Sequence, residues 1–153
     1  MVNPKRELMT EKELGELPNP YYDSAIIRKS NVGVIEQERG CPFNCNFCLV
    51  TDAYGSQIRY FPIPKILAEI REMQNYRLDP FFLTGDNLAG NPRKAIEMLE
   101  AIKDEGLSRY GRTAQVSVSA AKNERLLSLM RDVGIKHLCV GFEAVTDSAL
   151  SDL

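Results

Sequence analysis

The chain has 153 residues, a formal net charge of −2, and 44% hydrophobic and 26% charged residues. That is enough for one domain with a real core, and the composition is ordinary for a globular protein. Near-neutral charge, with Lys and Arg scattered rather than blocked into a tail, gives no electrostatic case for a nucleic-acid or membrane-surface partner.

Residues 1–15 are polar and lack the apolar stretch of a signal peptide, and no window reaches the apolar length of a membrane helix. The expectation is a cytoplasmic protein with reduced thiols. Residues 1–31 read as a loosely structured N-terminal extension, broken by Pro4, Pro18 and Pro20. Within it, Thr10 followed by Glu13 predicts a capping box for one short helix over 10–17.

From residue 32 the chain alternates strand and helix. Residues 32–36 carry β-branched apolar side chains and read as a strand. A loop with three cysteines follows. Ile63, Ile66, Leu67, Ile70 and Met73 fall at helical spacing behind Pro64, predicting a helix over 64–76 with Glu69 and 71–77 on a solvated face. Residues 80–84 are a short apolar strand. Asn91 and Pro92 cap and start a helix to about 104, with Ala95, Ile96, Leu99 and Ile102 inward and Gly106 as its stop. Residues 114–119 alternate as a third strand, with Ser117 and Ser119 between Val116 and Val118. A helix over 123–133 places Leu126, Leu127 and Met130 inward, and Gly134 ends it. Residues 135–142 make a fourth strand, and Thr146 or Asp147 can cap a last helix.

Four strand–helix units in series predict an α/β fold with parallel strands, a partial (β/α) barrel or a doubly wound sheet. Both architectures put their chemistry at the C-terminal ends of the strands. The unusual residues obey that rule: Cys41 to Cys48 after the first strand, Thr84, Gly85, Asp86 and Asn87 after the second, Ser117 and Ser119 at the third, Gly141, Phe142 and Glu143 at the fourth. Four βα junctions are expected to share one rim.

Cys41, Cys45 and Cys48 are spaced C-x3-C-x2-C within Arg39-Gly40-Cys41-Pro42-Phe43-Asn44-Cys45-Asn46-Phe47-Cys48. Three thiolates on a compact loop can hold three irons of a 4Fe–4S cluster and leave the fourth iron open to a substrate. Structural zinc is the rival reading. It usually takes four ligands, only Cys45 and Cys48 form a C-x2-C pair, and His137 and Cys139 could complete the set from one face of the fourth strand. An electron-transfer cluster would want a fourth cysteine nearby. Cys139 otherwise reads as a buried apolar residue.

The cysteine loop with Phe47 before its last cysteine resembles the radical S-adenosylmethionine superfamily. Arg39 to Cys45, Tyr54-Gly55 with Arg59, the Asp86 to Asn91 run, and Val140-Gly141-Phe142-Glu143-Ala144 resemble its cobalamin-binding-type subgroup and the methylthiotransferases. The resemblance covers 32–153, as a partial core domain. It implies that Cys41, Cys45 and Cys48 ligate a 4Fe–4S cluster whose open iron chelates S-adenosylmethionine. It places Phe47 near the adenine, Gly85, Asp86 and Asn87 at the methionine amino group, and Ser117, Ser119 and Glu143 at the methionyl or ribose part. It implies reductive cleavage to a 5′-deoxyadenosyl radical, with electrons from a reductant such as flavodoxin or ferredoxin, and a small-molecule substrate. Gly85 departs from the subgroup, which has an acidic residue there. The family barrel commonly has six β/α units and this chain supplies about four, while the cobalamin-binding domain expected ahead of the barrel has no counterpart. A fragment, a split enzyme, or association through the open barrel edge is therefore expected.

Overall fold

The computed structural model describes residues 7–19, 32–78, 81–109 and 111–146. Four parallel strands form its sheet: β1 (Gly33–Ile35), β4 (Phe81–Leu83), β5 (Arg112–Ser117) and β6 (Ile135–Gly141), side by side in that order. A two-residue antiparallel ribbon, β2 (Glu38–Arg39) with β3 (Arg59–Tyr60), stands beyond the end of β1. Helices α1 (Glu11–Glu16), α2 (Val50–Tyr54), α3 (Ile63–Asn75), α4 (Pro92–Asp104) and α5 (Glu124–Asp132) complete the described elements, with 3₁₀ turns at Leu88–Gly90 and Val118–Lys122. No helix among the described residues is long and apolar enough to cross a membrane.

The parallel pairing follows from the long helical connections, which carry each strand back to the same end of the sheet. Ile35, Phe81, Leu83, Ala114 and Val116 alternate toward the helices and are buried. Against them α3 sets Ile66, Leu67, Ile70 and Met73, α4 sets Ala95, Met98, Leu99 and Ile102, and α5 sets Leu126, Leu129 and Met130. Each fully buried large aliphatic contributes roughly 1.5–3 kcal/mol, so this helix-side layer anchors the fold. The other face, through Val34, Phe82, Thr113 and Gln115, stays more open.

The caps are those the sequence predicts. Thr10 and Glu13 form a reciprocal capping box on α1, which buries Leu14 in the core. Asn91 Oδ1 accepts from Lys94 N at 3.3 Å, with Pro92 at the start of α4. Asn123 caps α5 through Leu126 N at 3.0 Å. Helices α4 and α5 end just ahead of Gly106 and Gly134. Residues 1–6 and 20–31 of the N-terminal segment, and Asp147 with the expected last helix, lie outside the described residues.

Five expectations need correction. The third strand runs Arg112–Ser117, so Val118 and Ser119 belong to the following 3₁₀ turn, where the hydrogen bonding leaves the sheet ladder. Leu127 is exposed and Leu129 is buried instead, because 126, 129 and 130 share one helical stripe. Glu69 is buried rather than solvated. It lies one turn after Lys65, whose Nζ stands 3.4 Å from Oε1 and offsets the cost of burial. Cys139 is exposed, since β6 is an edge strand open on both faces from Lys136 to Cys139. Finally, the region between β1 and α3 is not a plain loop but holds the β2–β3 ribbon and α2.

Arg112 was not singled out by sequence and organises the start of β5. It is 1% exposed, its guanidinium lies 4.2 Å from the centre of the Phe81 ring, and Nη1 donates to Val133 O at 3.0 Å. Nη2 donates to Leu107 O at 2.5 Å. The guanidinium, with donors at several positions, thus closes carbonyls that follow α4 and α5 while its face lies on the Phe81 ring.

Candidate cluster and cofactor site

The site is built outward from the end of β1. Glu36 and Arg39 face each other in a two-pronged pair, Nε to Oε1 at 2.8 Å and Nη2 to Oε2 at 2.6 Å. The Arg39 guanidinium also lies 5.9 Å from the centre of the Tyr54 ring and 5.5 Å from that of Phe61. Glu38 pairs across the ribbon with Tyr60, and Arg39 with Arg59. Arg59 is buried and donates to Met9 O at 2.7 Å and to Tyr54 O. The ribbon therefore fixes both ends of the loop that carries the cysteines.

Gly40 sits at the turn into that loop with φ +98, where a side chain would be strained. A Cβ there would also stand 2.7 Å from Gln57 O and 2.9 Å from Gly55 O. Its N–H donates to Asp86 Oδ2 at 2.8 Å. Cys41, Cys45 and Cys48 follow as free, half-buried thiols, with Cys48 N donating to Cys45 O at 3.1 Å. Phe47 is 50% exposed, leaving its ring open beside Cys48.

The second junction packs beneath this loop. Thr84 N continues the ladder to Ile35 O at 2.8 Å. Gly85 N donates to Gln37 Oε1 at 3.0 Å, and Asn87 N to Glu38 Oε1 at 3.2 Å. A Cβ on Gly85 would meet Gln37 Nε2 at 2.4 Å and Glu38 Cγ at 2.7 Å. Glycine at this position, where the cobalamin-type subgroup has an acid, is thus matched by side chains from the β1–β2 corner that fill the space. Asn87 Oδ1 accepts from Ala89 N at 3.2 Å and from Ser117 N at 3.0 Å, tying the second junction to the third. Ser117 Oγ and Ser119 Oγ are 2.7 Å apart, and Ser117 pairs in register with Gly141 at the fourth strand. Glu143 lies two residues on, exposed, at φ 59.

Charge in this corner is held unusually. Burial pushes the Glu38 carboxyl up to about 8, against the Asn87 N–H that favours ionisation, with the Asp86 charge adding to the rise. Burial likewise raises Asp86, opposed by the Gly40 N–H. Burial raises the Cys41 thiol, while the Phe43 N–H and the Asn87 side chain hydrogen-bond to favour thiolate. Burial and the Glu38 charge push Tyr60 up to about 12. A cavity of about 330 Å³ opens behind Glu38, lined by Tyr60, Phe61, Leu88, Ala95 and Met98 among others. No cysteine borders it, so it is separate from the thiol loop.

The donor set fits a cluster. Three free thiols share one loop whose ends the ribbon holds together. Among the described residues no three His, Cys, Asp or Glu side chains gather closely enough for a single ion. A cubane spaces its cysteines through iron and sulfide and needs no such tight grouping. His137 and Cys139 do share a face of β6, opposite Thr113 and Gln115, yet they join no ion-sized group there. The structure thus brings the first three junctions together by direct bonds and the fourth by strand register. Sequence reading missed Gln37 and Glu38, whose only signal was a polar run, Glu36 to Arg39, between an apolar strand and the cysteines.

Known proteins carry the same core. The hopanoid C-2 methylase of Rhodopseudomonas palustris is 30% identical over 98% of this chain and 30% of its own length. The cytidylyl-2-hydroxyethylphosphonate methyltransferase of Streptomyces wedmorensis is 28% identical over 86% of this chain and 24% of its own. The solved radical S-adenosylmethionine methyltransferase TsrM of Kitasatospora setae, with tryptophan substrate and a SAM analog bound, superposes with a TM-score of 0.71 at 16% identity, over 84% of this chain and 25% of that one. The chain spans under a third of the length of each of these proteins. The Radical SAM superfamily, whose enzymes use a 4Fe–4S cluster and S-adenosylmethionine, matches residues 37–152, and the chain belongs to it.

Proposed function

We propose that residues 32–153 form a partial radical S-adenosylmethionine core that binds a 4Fe–4S cluster on Cys41, Cys45 and Cys48 and cleaves S-adenosylmethionine reductively. The observation that carries this reading is the loop of three free thiols at the C-terminal end of β1, pinned by the ribbon and by Asp86. The bound cluster would supply one electron to the sulfonium. The chain's own part is to hold and orient. Phe47 offers an open aromatic face for the adenine, and Ser117 and Ser119 offer hydroxyls at the third junction. Glu143 offers a carboxylate at the fourth. Gly85, Asp86 and Asn87 shape the methionine end chiefly through backbone, because both side chains are engaged with the loop and the neighbouring junction.

The curated relatives are named methylase and methyltransferase, which supports methyl transfer to a small molecule as the reaction of the whole protein. Cobalamin would enter through a further domain, and a flavodoxin or ferredoxin would supply electrons in a reducing cytoplasm. The exposure of β6 on both faces favours a working form in which further strands cover it, from the same chain or a partner. Anaerobic reconstitution with iron and sulfide should give a brown protein. Dithionite and S-adenosylmethionine should then yield 5′-deoxyadenosine. The triple Cys→Ala variant at 41, 45 and 48 should hold no cluster; a cluster that survives it overturns the ligand assignment, and one zinc per chain without sulfide overturns the cluster.

A further inference from the structure

We infer that Gln37 and Glu38 are positioning residues for S-adenosylmethionine: from the β1–β2 corner they hold the Gly85 and Asn87 backbone in the shape that meets the methionine end. This rests on the reading proposed above.

Both side chains are almost wholly buried, at 2% and 3% exposure. Gln37 Oε1 accepts from Gly85 N at 3.0 Å, and Glu38 Oε1 accepts from Asn87 N at 3.2 Å. Two successive residues thus take two N–H groups of one junction. The Gly85 N–H fixes which way the Gln37 amide lies, since only its oxygen can accept. The corner is itself anchored: Gln37 O accepts from Phe61 N at 3.0 Å, and Glu38 pairs with Tyr60 across the ribbon. Gln115, from β5, donates Nε2 to Gly85 O at 3.4 Å. Gly85 is therefore gripped at its N–H from the ribbon side and at its carbonyl from β5. That carbonyl keeps a second lone pair for an ammonium group.

Stability alone does not account for the pair. Gln37 Nε2 is buried without a hydrogen-bond partner, and Glu38 buries a whole carboxyl group. Both arrangements cost free energy that an apolar side chain of similar size would avoid. An apolar side chain could not, however, accept the two N–H groups. Gly85 shows the same fit from the other side. A Cβ there would meet Gln37 Nε2 at 2.4 Å and Glu38 Cγ at 2.7 Å, so the glycine and the two side chains form one fitted unit.

The test compares Gln37→Leu and Glu38→Leu, which keep bulk and lose the acceptor, with Glu38→Gln, which keeps both. Amide hydrogen exchange at Gly85 and Asn87 reads the grip. Equilibrium dialysis of S-adenosylmethionine against the cluster-loaded chain reads its use. Each Leu variant is expected to exchange faster at the released N–H and to bind S-adenosylmethionine about three- to tenfold more weakly, the size of one hydrogen bond. Its thermal midpoint should stay at or above that of the parent, and Glu38→Gln should keep parental exchange and affinity. Leu variants with parental exchange or parental affinity overturn the inference. So does an affinity loss that tracks a falling thermal midpoint, or a Glu38→Gln variant that loses as much as Glu38→Leu. If the Leu variants do not fold, Gln37→Ala and Glu38→Ala take their place; if none folds, the corner is structural only and the inference fails. A parent chain that takes up no cluster, or binds no S-adenosylmethionine once loaded, is a different failure, which removes the underlying reading and the inference with it.

Discussion

At the β1 edge of the sheet, strand end, cysteine loop and second junction are joined by side chains from three directions: Gln37, Glu38, Asp86 and Asn87 all bond to backbone N–H groups of another segment. At the β6 edge, Lys136 to Cys139 stand exposed in succession, Phe142 is 70% exposed, and Glu143 carries an open carboxylate. Both regions belong to one sheet with one polarity. The contrast lies in where polar groups find partners. The first corner pairs its polar groups across segments of the described chain, although Gln37 Nε2, Arg59 Nε and Tyr60 Oη are buried there without a hydrogen-bond partner, whereas the second offers a ladder edge and apolar surface to whatever strand lies beside it.

Substitutions should separate the two regions by size of effect. The largest loss is expected from Gly40→Ala, which places a side chain at φ +98 and against two carbonyl oxygens; about 3 kcal/mol or more should appear in chemical denaturation. Gly85→Ala meets the flexible Gln37 amide before anything else, so a smaller loss of about 1–2 kcal/mol is expected.

Glu38 gives a pH test of the same corner. Its carboxyl titrates near 8 in the fold and near 4.5 when unfolded, so the folded state holds the extra proton between those values. Its contribution is complete below about pH 4.5, declines by roughly 1 kcal/mol per unit as pH rises toward 8, and is lost above that. Glu38→Gln should flatten that slope and leave the variant more stable than the parent at pH 8; an unchanged slope would place the titration elsewhere. At the other edge, Leu138→Ser should alter stability by no more than about 0.5 kcal/mol, because the side chain is already 39% exposed. A large loss there would show the β6 edge to be as tightly built as the first corner.

Much of this was legible in the sequence because the signals were local. Asn91-Pro92, Thr10 with Glu13, and the stripes of α3 and α4 act within one or two helical turns, and the elements appeared where those residues put them. The parallel strands and the expectation that the junctions share one rim followed from alternation alone; the order of the strands did not, because a barrel and a doubly wound sheet share that alternation and differ in order. What escaped was set by distant partners. Glu69 is buried because its helix turns that face onto the rest of the fold, with Lys65 one turn away as its local partner, Glu38 is buried where Gly85 leaves room, and Cys139 is exposed because no described element covers its face of β6. The ribbon escaped for the same reason: two residues per strand carry no periodicity to read. For the candidate site, spacing grouped the three thiols, but it could not show that Asp86 turns toward the cysteine loop and Asn87 toward the third junction.

The β2–β3 ribbon has a consequence for how the protein is made. By joining Glu38–Arg39 to Arg59–Tyr60 it closes the intervening loop through the chain's own backbone. Zinc fingers, by contrast, draw their ligands together only when the metal arrives, and fold with it. Here the entropy of loop closure is met during folding. On the cluster reading proposed above, less of that entropy would be left for iron to offset than in a zinc finger, and a chain stripped of iron is expected to keep Glu38–Arg39 paired with Arg59–Tyr60.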